Sequence, residues 1–171
     1  MPELPEVQTT VDGLNKKVLN RTFVDVWSDW YKISGEEIKN KKINKIWRRA
    51  KNIIFELSGG HSLLVHQKMT GHLLVGKWVL EDKTWKPEKA GPLSDPYNRF
   101  LHLIFFLDNK EMLALSDARK FAKVELWKTD ELNKELEKLG PEPLGKSFTL
   151  EKFKNILINK HGKIKQVLMV P

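Results

Sequence analysis

Apolar residues near the start of the chain recur every three or four positions. Val7, Val11, Leu14 and Val18 therefore share one face of a predicted helix. Pro5 suits the first position of that helix, where no backbone donor is wasted. Downstream the apolar runs shorten and begin to alternate. Strands are predicted at 22–30, 43–49, 53–57, 63–66, 73–80, 100–107, 112–115 and 121–127. In the second of these, Ile43 and Trp47 fall on one face. Ser58-Gly59-Gly60-His61 reads as a hairpin turn, and Met69-Thr70-Gly71-His72 as another turn. Between 81 and 98, Pro87, Gly91, Pro92 and Pro96 predict a long surface loop. A polar connection, 35–42, has room for a short helix. The expected fold class is α+β and mostly β: an antiparallel sandwich of about eight strands with the first helix packed on it.

After Trp127 the pattern becomes helical again. One helix is predicted over 130–139, stopped by Gly140-Pro141. A second is capped by Thr149 and runs to about Ile158. A third begins after Gly162, shortly before the last residue, Pro171. We expect a β-sandwich domain over residues 1–130, followed over 131–171 by a hinge and the first helices of a helical domain.

Composition narrows the partner. The 171 residues carry a net charge of +8, which favours a polyanion, with nucleic acid ahead of an anionic membrane. With 40% hydrophobic residues, including six Trp and eight Phe, the chain can bury a substantial core. The absence of cysteine excludes disulfides and cysteine-ligated zinc. Met1 is followed by proline and acid, unlike a secretory signal, and no apolar run approaches a membrane span. A soluble, cytoplasmic and monomeric protein is expected.

The opening Met1-Pro2-Glu3-Leu4-Pro5-Glu6-Val7 carries candidate chemistry. Once Met1 is removed, Pro2 presents a secondary α-amine. Terminal amines titrate at about 7.7–8.0, far below lysine, so a neutral fraction exists near neutral pH. Such an amine attacks an electrophilic sugar carbon to give an iminium, and the adjacent Glu3 can shuttle a proton. From the residues alone, an ordinary helix start with a loose terminus is the reading to prefer. Further along, Arg48-Arg49-Ala50-Lys51-Asn52 is either a solvated basic edge or a phosphate contact held at a strand end. Met69 lies in a polar, glycine-containing turn, a poor place for core filler. In Ser116-Asp117-Ala118-Arg119-Lys120-Phe121, an arginine sits beside an aromatic, the residue types that pair with and wedge between bases.

Taken together, these motifs resemble the formamidopyrimidine-DNA glycosylase and endonuclease VIII family. The carriers are Met1 to Val7, Arg48 to Phe55, His66-Gln67-Lys68-Met69-Thr70-Gly71-His72-Leu73, Ser116 to Phe121, and Leu139-Gly140-Pro141-Glu142-Pro143-Leu144, which matches the family's hinge. The resemblance implies a base-excision-repair DNA glycosylase with abasic-site lyase activity. Its substrates would be oxidised purines such as 8-oxoguanine and formamidopyrimidines in double-stranded DNA, in a bacterial, nucleoid-associated setting. It implies Pro2 as nucleophile, Glu3 as proton donor to the sugar ring oxygen, and Lys51 on the phosphate beside the lesion. It implies DNA contacts from Glu6, His66, Met69, Arg119, Lys120, Phe121, Lys160 and Lys165. Within that set His66 touches phosphate, Met69 fills the void left by the extruded nucleotide, Arg119 pairs with the orphaned cytosine and Phe121 is the wedge. The chain departs from the family pattern at Gln67-Lys68, where Leu-Gly is usual, and at Lys120, where a second arginine is usual. The lysine keeps the charge but loses the bidentate fork.

The family's helix–two-turn–helix loop should begin where this sequence ends, and its four-cysteine zinc finger has no counterpart here. The expectation is a shortened chain with no cofactor. A non-catalytic DNA-binding β-domain is the alternative, distinguished by a methionine retained on Pro2.

Overall fold

The computed structural model describes residues 2–143, 145 and 147–169. The chain divides into two compact units, residues 1–132 and 133–171. Met1, Val170, Pro171 and the hinge residue Leu144 lie outside the described residues.

The first unit opens with α1 (Leu4–Lys17), whose buried face is Val7, Val11 and Leu14. Glu3 is its N-cap, so Pro5 sits one place later than the sequence predicted. The strands are β1 (Phe23–Ser28), β2 (Ile43–Arg49), β3 (Asn52–Leu57), β4 (His61–His66), β5 (His72–Gly76), β6 (Trp78–Glu81), β7 (Thr84–Pro87), β8 (Leu101–Leu107), β9 (Met112–Ser116) and β10 (Lys123–Lys128). A one-turn helix, α2 (Gly35–Ile38), follows β1 and is capped by Ser34, whose Oγ accepts the Glu37 N–H. Two four-stranded antiparallel sheets, ordered β1-β8-β9-β5 and β10-β4-β3-β2, form the sandwich.

One core fills the space between the sheets. Ile53, Phe55, Leu63 and Val65 come from one sheet, Leu103, Phe105, Leu113 and Leu115 from the other, and Val7, Val11, Leu14 and Val18 close it from the helix side. Period-two alternation sends these residues inward. Asn15 Nδ2 donates to the Ile46 carbonyl (3.0 Å), fastening α1 to β2.

Three expectations change. A register shift between Ile43 and Lys45 inverts the alternation of β2, so Ile46, not Trp47, joins Ile43 in the core. The run expected as a single strand at 73–80 breaks at Lys77 into β5 and β6, which belong to different sheets. The expected loop at 81–98 contains β7, paired with β6 through Asp82 and Lys83, both at positive φ, and two 3₁₀ turns, Pro92–Ser94 and Pro96–Arg99. This hairpin has a task. Trp78, Trp85 and Leu93 cover Ile104, Ala114 and Trp27 in a second, smaller core.

At the far end of β10 the chain enters α3 (Thr129–Glu137), and the Thr129 N–H donates to the Gly60 carbonyl (2.9 Å). The second unit contains α4 (Leu150–Leu157) and α5 (Ile164–Met169). Thr149 caps α4 as expected, its Oγ1 accepting the Lys152 N–H (3.2 Å).

Candidate nucleic-acid interface and active site

The start of α1 holds Pro2 and Glu3 against the sandwich. Glu6 turns back to accept the Glu3 N–H (2.9 Å), and the Glu3 carbonyl accepts the Val7 N–H (3.0 Å). Glu6 therefore serves the helix end, and a capping contact of this kind stabilises by about 1 kcal/mol. Lys51 approaches from the β2–β3 turn, where Ala50 adopts a left-handed φ of 49° and Arg49 pairs with Asn52. Its Nζ lies 2.6 Å from Glu3 Oε2, with the lysine side chain 27% exposed. Arg48 sets that geometry: Nε donates to Gln8 Oε1 on α1 (3.2 Å) and Nη1 to the Ala50 carbonyl (2.9 Å). Carboxylate and ammonium thus meet at one edge, with Pro2 the neighbour of Glu3 in the chain.

His66 ends β4 beside this edge, paired across the sheet with Asn52 and Lys123. Its Nδ1 accepts the Lys68 N–H (3.0 Å). In the neutral ring the proton is then on Nε2, available to donate to an anion. Burial pushes His66 below the usual histidine range, and Lys68, Lys51 and Lys123 add to this, while a backbone hydrogen bond opposes it. Unfolded histidine titrates at about 6.5, so below that pH the unfolded chain takes up a proton that the folded chain resists. The stability contribution is complete above about 6.5 and is lost as pH falls toward the depressed folded value. His66→Gln should therefore lose less melting temperature than the parent between about pH 7 and pH 5. Parallel losses in the two proteins would show that this ring does not couple to folding.

The turn after His66 places Met69, 49% exposed, at its tip. Lys68 occupies a left-handed φ of 54°, a conformation that glycine adopts more cheaply, so the turn forms with lysine at a cost of about 1 kcal/mol. Gly71 is required on the other side of the tip. A Cβ there would lie 2.6 Å from the Gln67 carbonyl oxygen and 2.8 Å from Ala122 Cβ.

Asp117, fully buried, joins this turn to the next loop. One carboxylate oxygen accepts the Thr70 hydroxyl and the Arg119 N–H (3.3 Å), and the other accepts the Ala122 N–H (2.7 Å). Its own N–H donates to the Phe100 carbonyl (2.9 Å). Arg119, Lys120 and Phe121 ride on this support. Phe121 lies in the loop before β10, not in the strand as expected, and is 57% exposed, with the Arg119 guanidinium 5.5 Å from its ring centroid.

The structure thus links Pro2, Glu3, Glu6, Lys51, His66, Met69, Arg119, Lys120 and Phe121 along one side of the first unit. Lys160 and Lys165 are exposed on the second unit. Sequence reasoning left Arg48 and Asp117 unassigned. The signal for Asp117 was its place inside an otherwise basic and aromatic motif. The chain has no cysteine and, among the described residues, no cluster of three or more His, Asp or Glu able to hold a metal.

The family model for the formamidopyrimidine-DNA glycosylase N-terminal domain matches residues 1–124. The chain is 36% identical over 178 residues to the formamidopyrimidine-DNA glycosylase of Herpetosiphon aurantiacus, spanning 99% of this chain and 60% of that protein. It is 37% identical over 179 residues to that of Pelotomaculum thermopropionicum, spanning 99% and 59%. Its fold is similar to Lactococcus lactis Fpg in complex with DNA containing N7-benzyl-Fapy-dG, with a TM-score of 0.78 at 27% identity over 98% of this chain and 60% of that one. The same protein in complex with DNA containing an abasic site matches with a TM-score of 0.78 at 26% identity. The chain spans about 60% of the length of the relatives it matches.

Proposed function

Because the chain belongs to the formamidopyrimidine-DNA glycosylase family, we propose that it excises oxidised purines from double-stranded DNA and cleaves the resulting abasic site. The observation that carries this reading is the 2.6 Å contact between Lys51 and Glu3, one residue from the candidate amine. The Pro2 nitrogen attacks C1′ of the flipped nucleotide as the bond to the base breaks, and the base leaves with a proton. Glu3 takes a proton from water and passes it to the sugar ring oxygen, which opens the ring to an iminium. A proton is then lost from C2′ and the 3′ phosphate departs, with no oxidant or reductant needed. Lys51, bridging the carboxylate and the incoming phosphate, holds the strand in place for both steps.

His66, through Nε2, and Lys120 are assigned to phosphate. Met69 and Phe121 are assigned to the space the base leaves, and Arg119 to the orphaned partner. The exposure of Met69 and Phe121 supports this, since exposed apolar groups on a basic edge lack a core to fill. Glu6 keeps to its cap in this scheme. Lys160 and Lys165, exposed on the second unit, are assigned to DNA as further basic contacts. No cofactor takes part, and the working form is proposed as a cytoplasmic monomer. Among the described residues, no helix is long and apolar enough to cross a membrane.

Base extrusion costs a few kcal/mol, part of which the wedge offsets. Phe121→Ala and Met69→Ala should therefore slow release of 8-oxoguanine from duplex DNA by about tenfold or more, while cleavage of a preformed abasic site changes much less. Measured by gel on both substrates, equal slowing would make these packing residues. A chain that binds damaged duplex but releases no base from it would leave the non-catalytic reading in place.

A further inference from the structure

The connection between β1 and α2 presents a tryptophan that the scheme above does not use. Trp30 leaves 58% of its surface exposed. It is held in that position by its neighbours. Ser28 Oγ accepts the N–H groups of Trp30 (3.2 Å) and Tyr31 (2.7 Å) and donates to the His102 carbonyl (3.0 Å). Asp29 binds His102 Nδ1 (2.9 Å), and Tyr31 turns inward onto the main core. The turn is therefore fixed on both sides while the indole projects outward.

Trp30 is also tied to the candidate site. The Lys120 ammonium sits 4.8 Å from the indole centroid, and Phe121, the next residue, carries Arg119 over its own ring. Two exposed rings, each with its own cation, thus share one edge. Arg119 and Lys120 make that edge complementary to a polyanion. An exposed ammonium–indole pair is worth less than a base stacked on an indole, and the ammonium gains further by meeting a phosphate.

We propose that Trp30 is a second aromatic contact for DNA, taking an unstacked base of the strand opposite the lesion while Lys120 moves from the ring to a phosphate. This rests on the function proposed above and adds a residue to it. Trp30 and Phe121 would then grip the distorted duplex from adjacent points, which selects for DNA that is already easy to unstack.

The test is fluorescence anisotropy with two labelled duplexes, one carrying a tetrahydrofuran abasic analogue opposite cytosine and one intact, at several salt concentrations. Trp30→Ala should weaken binding to the tetrahydrofuran duplex by about tenfold or more, and Trp30→Phe by no more than about threefold, because a phenyl face still stacks. Neither removes a charge, so the slope of log affinity against log salt should hold, whereas Lys120→Met should reduce it by about 0.9. Trp30→Ala binding as tightly as the parent while Phe121→Ala binds weakly would overturn the inference and leave the function standing, with Trp30 only covering Lys120. Trp30→Phe as weak as Trp30→Ala would also overturn it. A parent chain that binds neither duplex would overturn the functional reading and this inference together.

Discussion

Sodium borohydride should trap the chain on abasic DNA only after Met1 has been removed. An acylated proline has no lone pair to give, so a retained methionine should reduce the trapped adduct by roughly two orders of magnitude or more, to background. Glu3, the residue next to Pro2, holds the Lys51 ammonium 2.6 Å from its carboxylate. Pro2→Gly keeps an amine at the same place and should keep part of the trapping. Intact mass and a denaturing gel read both the terminus and the adduct. Equal trapping by the processed and unprocessed chains would make a lysine the nucleophile, with Lys51 the first to examine.

The second large effect belongs to Asp117. Asp117→Ala leaves the buried Ala122 N–H and the half-buried Thr70 hydroxyl without their acceptor. Hydrogen bonds to a buried charge are worth about 1.5–3 kcal/mol each, so the loss should reach about 3 kcal/mol. For a unit of this size that lowers the melting temperature by on the order of 10 °C. At temperatures where the variant stays folded, it should release damaged bases slowly, because both the Met69 turn and the Phe121 loop lose their shared support. Asp117→Asn keeps the shape and one acceptor oxygen and should lie between the two. An Asp117→Ala variant that melts with the parent would show the loops to be held by other contacts.

The sandwich was legible because its strands are short, apolar and separated by turn residues, and because Val7, Val11, Leu14 and Val18 keep helical spacing. What escaped was decided at single positions. The shift between Ile43 and Lys45 moves Ile46 into the core, and no composition signal marks such a shift. The β6–β7 hairpin was hidden because Asp82 and Lys83 make its turn without glycine and because Pro87 reads as a breaker. At the candidate site the residue types were legible in the motifs at Pro2, Lys51, Met69 and Phe121. The residues that hold them, Arg48 and Asp117, were not. Their partners Gln8, Thr70 and Ala122 are remote in sequence or bonded through atoms that every residue shares.

The hairpin over the second core also determines what an optical probe reports. Of the six tryptophans, Trp27, Trp78 and Trp85 cluster there, with Trp27 and Trp85 ring centroids 5.5 Å apart. That layer lies outside the main sandwich and rests on a two-stranded ribbon, the kind of element that opens at lower free energy than the core beneath it. Intrinsic emission during denaturation is therefore weighted toward the outer layer, and its midpoint belongs to the hairpin before it belongs to the strands of the main sandwich. Far-ultraviolet dichroism, which follows the backbone of both sheets, is the measure to set beside activity.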